Sequence, residues 1–422
     1  MATIDDLKLQ KKTIWINPDK EEMDPLFRIG SYSYTYVKAA QNRFMRFMPY
    51  FAKAFPETAG KMGVIESGLA FLPDMQEKLS GGKDFGKLLL KDDAHLPIAG
   101  SVKARGGFHA VMTIAEHLCY REGMLLPAED HSRMASDEFR EFFSRYTIQV
   151  GSTGNLGIAV GRLAAKLGFR TIVHMSRDAK EWKKQLLRSE GVLVKEYDGD
   201  YTLALEEGRR LASKEKNSFF IDDENSEDLF FGYSCAALRL KIQLRRAGIS
   251  VDPDHPLFVW LPCGVGGAPG GITFGLKEIF GEYVHCFFAE PVAAPCFTLA
   301  MAEGGQEIPQ ICEIGLDGKT IADGLAVGRP SGLACRLMKP LLSGCLTVTD
   351  EELLEDQKLL HELEDLRIEP SACAGFAGYR ALCKEDPVLW SYIREHGLEE
   401  KMNNASHIIW ATGGGLMPEE ED

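Results

Sequence analysis

The sequence predicts an α/β protein of two lobes, each an open, mostly parallel sheet flanked by helices, with the active site in the cleft. Two observations carry this reading. Short β-branched or aromatic runs alternate with longer amphipathic helical patterns through the middle of the chain, as in parallel sheets built from βα units. The chain is also large: 422 residues, 45% hydrophobic and 26% charged, enough for two lobes and a sizeable core.

The elements follow in order. YTIQV (146–150) reads as a strand and GIAVGRLAAKLG (157–168) as the helix after it. RTIVHM (170–175) is the next strand, then helical AKEWKKQLLRSEG (179–191), then VLVKEY (192–197). A helical stretch rich in Glu and Arg precedes SFFIDD (218–223). LFVWLPCG (257–264) and HCFFAEP (285–291) read as buried strands, and SHIIWATGGG (406–415) supplies a last one. Two stretches look like lobe connections: polar GMLLPAEDHSRMASDEF (123–139), broken by Pro127, and the region around NSEDLFFGYS (225–234). The expected organisation is a small, movable α/β domain at 136–227 inserted in a larger domain made of 1–135 and 228–422.

Composition narrows the partners. A formal net charge of −14 argues against nucleic-acid or anionic-membrane binding, which would want a basic face. No apolar run reaches the roughly 20 residues a membrane helix needs. MATIDDLKLQKK at the N-terminus alternates charges and lacks the apolar stretch of a signal peptide. The ten cysteines form no C-x-x-C pair and no Cys/His cluster at zinc spacing, and Cys263 and Cys286 stand at positions that suit packing. A reduced, cytoplasmic protein without a structural metal is expected. It would be a monomer or small homo-oligomer acting on a small molecule.

Four motifs carry chemistry. In GSVKARGG (100–107), Lys103 stands at a loop-to-helix junction with Ser101 placed to cap. A lysine there loses hydration and faces the positive end of the helix dipole; both favour the neutral, nucleophilic amine. A solvated surface lysine is the competing reading. GSTGNLG (151–157) sits between a strand and a helix, where backbone N–H groups converge on a phosphate or carboxylate and Asn155 adds a directional partner. A tight turn that binds nothing would look the same. CGVGGAPGG (263–271) follows an apolar strand and precedes ITFGLKEIF, leaving no side chains in the way of a phosphate. It lacks the Gly-Lys-Ser/Thr ending of a Walker motif. WATGGG (410–415) ends a strand in a hydroxyl and three glycines. Alone it is weak.

Together these motifs are far less ambiguous. The order S-x-K-x-R-G, G-S-T-G-N-L-G, glycine-rich loop, threonine before glycines resembles that of the fold-type II pyridoxal-phosphate enzymes, the tryptophan synthase β-like group. Within them the chain more closely resembles the bacterial D-serine dehydratases (D-serine ammonia-lyases). HLPIAGSVKARGG, VGSTGNLG, TIVHMSRDAKEWKK, FFIDDENS, LPCGVGGAPGG, VHCFFAEP, ADGLAVGR, IEPSA and WATGGGLMPEEE all look like that family. The likeness runs from TIWINP (13–18) to the C-terminus.

The resemblance implies a site. Lys103 would bind the aldehyde of pyridoxal 5'-phosphate and act in catalysis, and Asn155 would meet the cofactor's 3-hydroxyl. The backbone of Gly264, Val265, Gly266, Gly267 and Ala268 would cup the phosphate, although Ala268 stands where a glycine is common. Thr412 would face the pyridine nitrogen as a neutral hydroxyl, favouring β-elimination over side reactions. Ser152, Thr153 and Gly154 would present N–H groups to the substrate carboxylate. Asp223 would reach the substrate hydroxyl, with a solvated turn as the alternative. Glu290 would hold a monovalent cation, K+ or Na+, with a structural ion pair as the alternative. The implied activity is a lyase reaction, D-serine to pyruvate and ammonia, with D-threonine to 2-oxobutanoate beside it. An L-threonine/L-serine dehydratase or a β-replacement enzyme fits the scaffold motifs as well. A non-catalytic phosphate-ligand binding protein would need only the two glycine loops.

Overall fold

The structure, a computed structural model, describes residues 4–21, 31–152, 154–198, 201–306 and 308–418. The chain groups into two compact units. One comprises Met1–Thr35, Ser67–Ala94 and Tyr233–Gly415; the other comprises Tyr36–Glu66, His95–Gly232 and Leu416–Asp422. Eleven strands are present among the described residues: β1 (Ile14–Ile16), β2 (Leu69–Phe71), β3 (Lys87–Asp92), β4 (Thr147–Gly151), β5 (Arg170–Ser176), β6 (Leu193–Tyr197), β7 (Ser218–Ile221), β8 (Leu257–Pro262), β9 (Val284–Pro291), β10 (Gly344–Val348) and β11 (Ser406–Ala411).

The first unit is built on a seven-stranded sheet in the order β1-β10-β9-β8-β11-β3-β2. Its five inner strands are parallel, while β1 and β2 pair antiparallel at the two edges. Every residue of β8, β9, β10 and β11 is buried, as a parallel sheet covered on both faces demands. Aromatic rings run across neighbouring strands: Phe258 stacks on His285 at 4.9 Å and on His407 at 5.1 Å, and Trp260 on Phe287 at 4.9 Å. Burial keeps these imidazoles neutral, lowering His407 to about 4 and His285 well below its usual value. The helix Phe376–Cys383 lies on this ladder. Gly378 lets it do so, since a Cβ there would stand 2.0 Å from Trp260 Cε3.

The second unit holds a four-stranded, all-parallel sheet in the order β6-β5-β4-β7. The helices Asn155–Leu167, Glu181–Ser189 and Tyr201–Ala212 connect its strands in turn. This unit also takes in most of the helix Tyr34–Ala54 and all of Lys103–Arg121, so it is wider than the 136–227 segment. No helix among the described residues is long and apolar enough to cross a membrane.

Replacing Gly378 by alanine should destabilise the protein by ~3 kcal/mol, because a methyl pressed into a packed indole forces a backbone shift. Chemical denaturation of the purified variant checks this; an unchanged midpoint would show that the helix can lift off the sheet at no cost.

Candidate active site

In the second unit the Lys103 turn is strained. Ile98 has φ 74° and Gly100 φ 56°; the first is an outlier for a β-branched residue, of the kind that concentrates at functional sites. The Ile98 carbonyl accepts from Arg162, on the helix that begins at Asn155. Lys103 is the first residue of its own helix, which has no side-chain cap. Ser101 therefore does not cap as expected: its hydroxyl is buried and has no hydrogen-bond partner. The first turns of the two helices pack closely, with a Cβ on Gly107 falling 3.1 Å from Ala159 Cβ and 3.5 Å from Leu156 Cδ1. Lys103 and Asn155 are thus brought to one end of one helix pair.

Buried charges fix the Lys103 helix. Arg105 Nη2 donates to Glu66 Oε1 at 2.6 Å. Glu116 accepts from Arg43 Nε at 2.8 Å and from Arg46 Nε at 2.7 Å, and lies 3.1 Å from His131 Nε2. Burial alone would raise its carboxyl, but hydrogen bonds from His131, Arg46 and Arg43 outweigh it and hold Glu116 well below the usual carboxylate range. No local sequence pattern announces this network, because its members are scattered from Arg43 to His131.

Lys103 Nζ donates to Asp223 Oδ2 at 3.2 Å, and Asp223 Oδ1 is buried without a partner. Asp223 follows the C-terminal end of β7, next to β4, whose own end leads into the Ser152–Asn155 turn. Asp222 points elsewhere, pairing with Arg209 Nη2 at 2.7 Å. In the turn, Ser152 N–H donates to His174 O at 2.9 Å and Gly154 N–H to Ser152 Oγ at 3.2 Å. Of the three N–H groups expected to face a carboxylate, those of Ser152 and Gly154 are engaged within the fold. Thr153 lies outside the described residues. Asn155, half-buried, opens a helix that has no side-chain cap.

In the first unit, β8 and β11 are parallel neighbours, so the turns that follow them leave one edge of the sheet. The strand order also reverses here: β9 and β10 lie on one side of β8, and the chain returns as β11 on the other. Ligands of open α/β sheets bind at such switch points, outside the carboxyl ends of the strands. After β8, Cys263 and Gly264 lead to Val265, whose carbonyl accepts from Ser331 N–H at 2.7 Å. Gly266 has φ 99°, and a Cβ there would fall 2.5 Å from the Phe297 ring. Gly267 then starts a 14-residue helix, again without a side-chain cap, with Ala268 buried in its first turn. After β11 come half-buried Thr412 and Gly413, whose carbonyl accepts from Glu369 N–H at 3.1 Å. Gly414 has φ 123° and passes Glu369 so closely that a Cβ would lie 2.3 Å from its nitrogen. Nearby Ser371 has a buried, unpartnered hydroxyl.

Within each unit, the glycine turns and open helix starts suit an anionic group. The helices starting at Lys103, Asn155 and Gly267 all lack a side-chain cap, whereas Ser331, Thr349 and Asp386 cap three others in the first unit. An uncapped helix start leaves N–H donors and a positive dipole end for an anion. Glu290 has a different employment. Its oxygens accept from Phe297 N–H and Thr298 N–H, both at 2.7 Å, and from Thr298 Oγ1 at 2.5 Å, capping the helix Cys296–Ala302. Burial raises its carboxyl to about 7 against the pull of these donors. Among the described residues no group of three or more His, Cys, Asp or Glu is placed to hold a metal ion.

Comparison with known proteins agrees with this geometry. The family described as pyridoxal-phosphate dependent enzyme matches residues 72–389. The chain is 51% identical over 413 residues to a probable D-serine dehydratase of Bacillus cereus, covering 97% of this chain and 92% of that one. It is 50% identical over 422 residues to the D-serine dehydratase of Citrobacter koseri, covering 99% and 95%. Among solved structures it is similar to diaminopropionate ammonia lyase from Escherichia coli in complex with D-serine, with TM-score 0.70, 20% identity and coverage of 96% and 94%. It is also similar to threonine deaminase isoform 2 from Solanum lycopersicum, with TM-score 0.66, 18% identity and coverage of 97% and 90%. At these identities the two structures speak for the fold alone.

Gly266→Ala should weaken retention of pyridoxal phosphate by ~10-fold or more, since the left-handed backbone and the Phe297 ring both reject a Cβ. Ala268→Gly, which keeps every N–H in place, should retain the cofactor. Fluorescence titration of the two apo-proteins checks this; equal affinities would remove the loop from the site.

Proposed function

The chain belongs to the pyridoxal-phosphate-dependent enzymes, and on that premise we propose that it is a D-serine ammonia-lyase, converting D-serine to pyruvate and ammonia. One observation carries the substrate: about half of all residues are shared, over nearly the full length of both chains, with proteins named D-serine dehydratase. The uncapped, glycine-lined helix starts support the cofactor's part in it.

Lys103 would hold the cofactor aldehyde, and the Gly264–Ala268 turn its phosphate. Asn155 would meet its 3-hydroxyl and Thr412 its ring nitrogen. When bound, the cofactor supplies an electron-withdrawing ring that acidifies the substrate's α C–H. Lys103 Nζ would take the α proton. The turn at Ser152–Asn155 receives the carboxylate. Asp223, 3.2 Å from Lys103 Nζ, is within reach of the β-hydroxyl that leaves as water. Hydrolysis of the released enamine returns that water and frees ammonia, so atoms balance. Thr412, a neutral hydroxyl, would face the ring nitrogen without the charge a carboxylate would bring there. D-threonine, with one methyl more at Cβ, would give 2-oxobutanoate.

Residues 136–227 are proposed to move as a domain when substrate binds. Ten cysteines without a disulfide support a reducing, cytoplasmic location. A monovalent cation, K+ or Na+, belongs here only if oxygen acceptors other than Glu290 hold it, because three donors already solvate that carboxylate.

Purified protein should release pyruvate from D-serine and little from L-serine, and Lys103→Ala should lower that rate by ~1000-fold or more while the fold persists. A coupled lactate-dehydrogenase assay reads both. Pyruvate from L-serine alone would replace the proposal with the L-serine/L-threonine reading.

A further inference from the structure

At the carboxyl end of β3, in the first unit, two opposite charges lie fully buried: Lys91 and Asp93, with Lys91 Nζ 3.9 Å from Asp93 Oδ1. Ser67 stands between them. Lys91 Nζ donates to Ser67 Oγ at 2.5 Å, and Ser67 Oγ donates to Asp93 Oδ1 at 2.6 Å. An ammonium can only donate and a hydroxyl has one proton to give, so both bonds have a fixed direction. The other carboxylate oxygen, Asp93 Oδ2, accepts from the buried indole of Trp410, Nε1 at 2.8 Å. Stability does not call for such a pair, because apolar side chains of like volume serve a core as well or better. What the pair adds is direction.

The sheet register shows what that direction serves. β11 and β3 are parallel neighbours, with Trp410 opposite Lys91 and Ala411 opposite Asp92. Past the strand ends, Gly415 N–H donates to Ala94 O at 3.1 Å. The stretch from Trp410 to Gly415 is thus fastened twice to the end of β3, by an indole on Asp93 and by a backbone bond on Ala94. Thr412 lies between the two fastenings, next to Gly413, whose carbonyl is held by Glu369 N–H. Only the Asp93 fastening is made by side chains, so it alone can be removed without touching the backbone.

We propose that Asp93 is a positioning residue for the Thr412 turn: by holding the Trp410 indole it sets the Thr412 hydroxyl at the cofactor's ring nitrogen, while Lys91 and Ser67 keep its carboxylate turned toward the indole. The inference rests on the D-serine reading and on the proposed place of Thr412 within it. A neutral hydroxyl meets that nitrogen through one directional hydrogen bond, so a turn displaced by about 1 Å loses the contact. The Gly264–Ala268 turn has fastenings of its own, such as the bond from Ser331 N–H to Val265 O. Retention of the cofactor therefore does not depend on Asp93.

The test uses holoprotein loaded with pyridoxal phosphate that carries an isotope label on its ring nitrogen, read by nitrogen NMR. Thr412→Val gives the resonance of a ring nitrogen without its hydroxyl partner. The double variant Lys91→Met/Asp93→Leu removes both charges and the indole's acceptor together; it should fold, because no unmatched charge is left inside. Its resonance should move from the wild-type position toward that of Thr412→Val. Its kcat for D-serine should fall by about 10-fold, with KM and the apo-protein's affinity for the cofactor changed by less than about 3-fold. Trp410→Phe, which removes only the Nε1–H, should move the resonance the same way, and it decides the matter if the double variant does not fold. A pair that serves stability alone would leave the resonance where it is. A resonance at the wild-type position in the double variant, or in Trp410→Phe where the double variant does not fold, overturns the inference. An unmoved resonance in Thr412→Val overturns the place of Thr412 in the parent reading instead, and is seen before the other variants are compared.

Discussion

A parallel β-sheet sends every strand out at one edge, and the helix that follows must begin there with its N–H groups unpaired. Most proteins satisfy such starts with a serine, threonine or aspartate. This chain does so at Ser331, Thr349 and Asp386, but leaves the starts at Lys103, Asn155 and Gly267 without a side-chain cap. Each open start costs folding free energy on the order of 1 kcal/mol. The chemistry follows from where that cost is accepted. Two of these three starts lie within one unit, on helices that pack close together near their beginnings.

The same trade appears in the backbone around the lysine. Ile98 holds a left-handed φ that its branched side chain resists, and Ser101 buries a hydroxyl with no partner. Both are liabilities for stability, and both sit within five residues of Lys103. The rigid surroundings carry them. Arg162 grips the Ile98 carbonyl, Arg105 pairs with Glu66, and Glu116 gathers Arg43, Arg46 and His131. Removing one member of that buried set would strand the others' charges, which is why it holds the helix in one place. Stability is concentrated on the helix body, and strain on the turn that presents the amine.

Much of this was legible in the sequence. Strands β4 to β9 and β11 are apolar or β-branched runs bounded by turn residues, so periodicity and punctuation found them. Strands β1 and β2 have three residues each, too few for any period to register. The run KLLLKD of β3 is bracketed by charge, and GCLTV of β10 starts at a glycine; neither announces a central strand. At the site, the glycine turns and Lys103 stood out because they break local rules. Ser101 looked like a cap only because its position fits one. Glu290 reads as a cation ligand because a strand-end carboxylate suits either use; in the structure the N–H groups of Phe297 and Thr298 donate to it. Asp222 and Asp223 were indistinguishable in sequence; the alternation of a strand end turns one to Arg209 and the other to Lys103.

Everything proposed for this chain depends on one covalent contact, between the amine at position 103 and the aldehyde of pyridoxal phosphate. Reducing the purified holoprotein with borohydride, digesting it and mapping the phosphopyridoxyl group by mass spectrometry tests that contact without reference to turnover. The account predicts a single modified peptide carrying the group on Lys103. A modified lysine elsewhere, or no modified peptide at all, would contradict it.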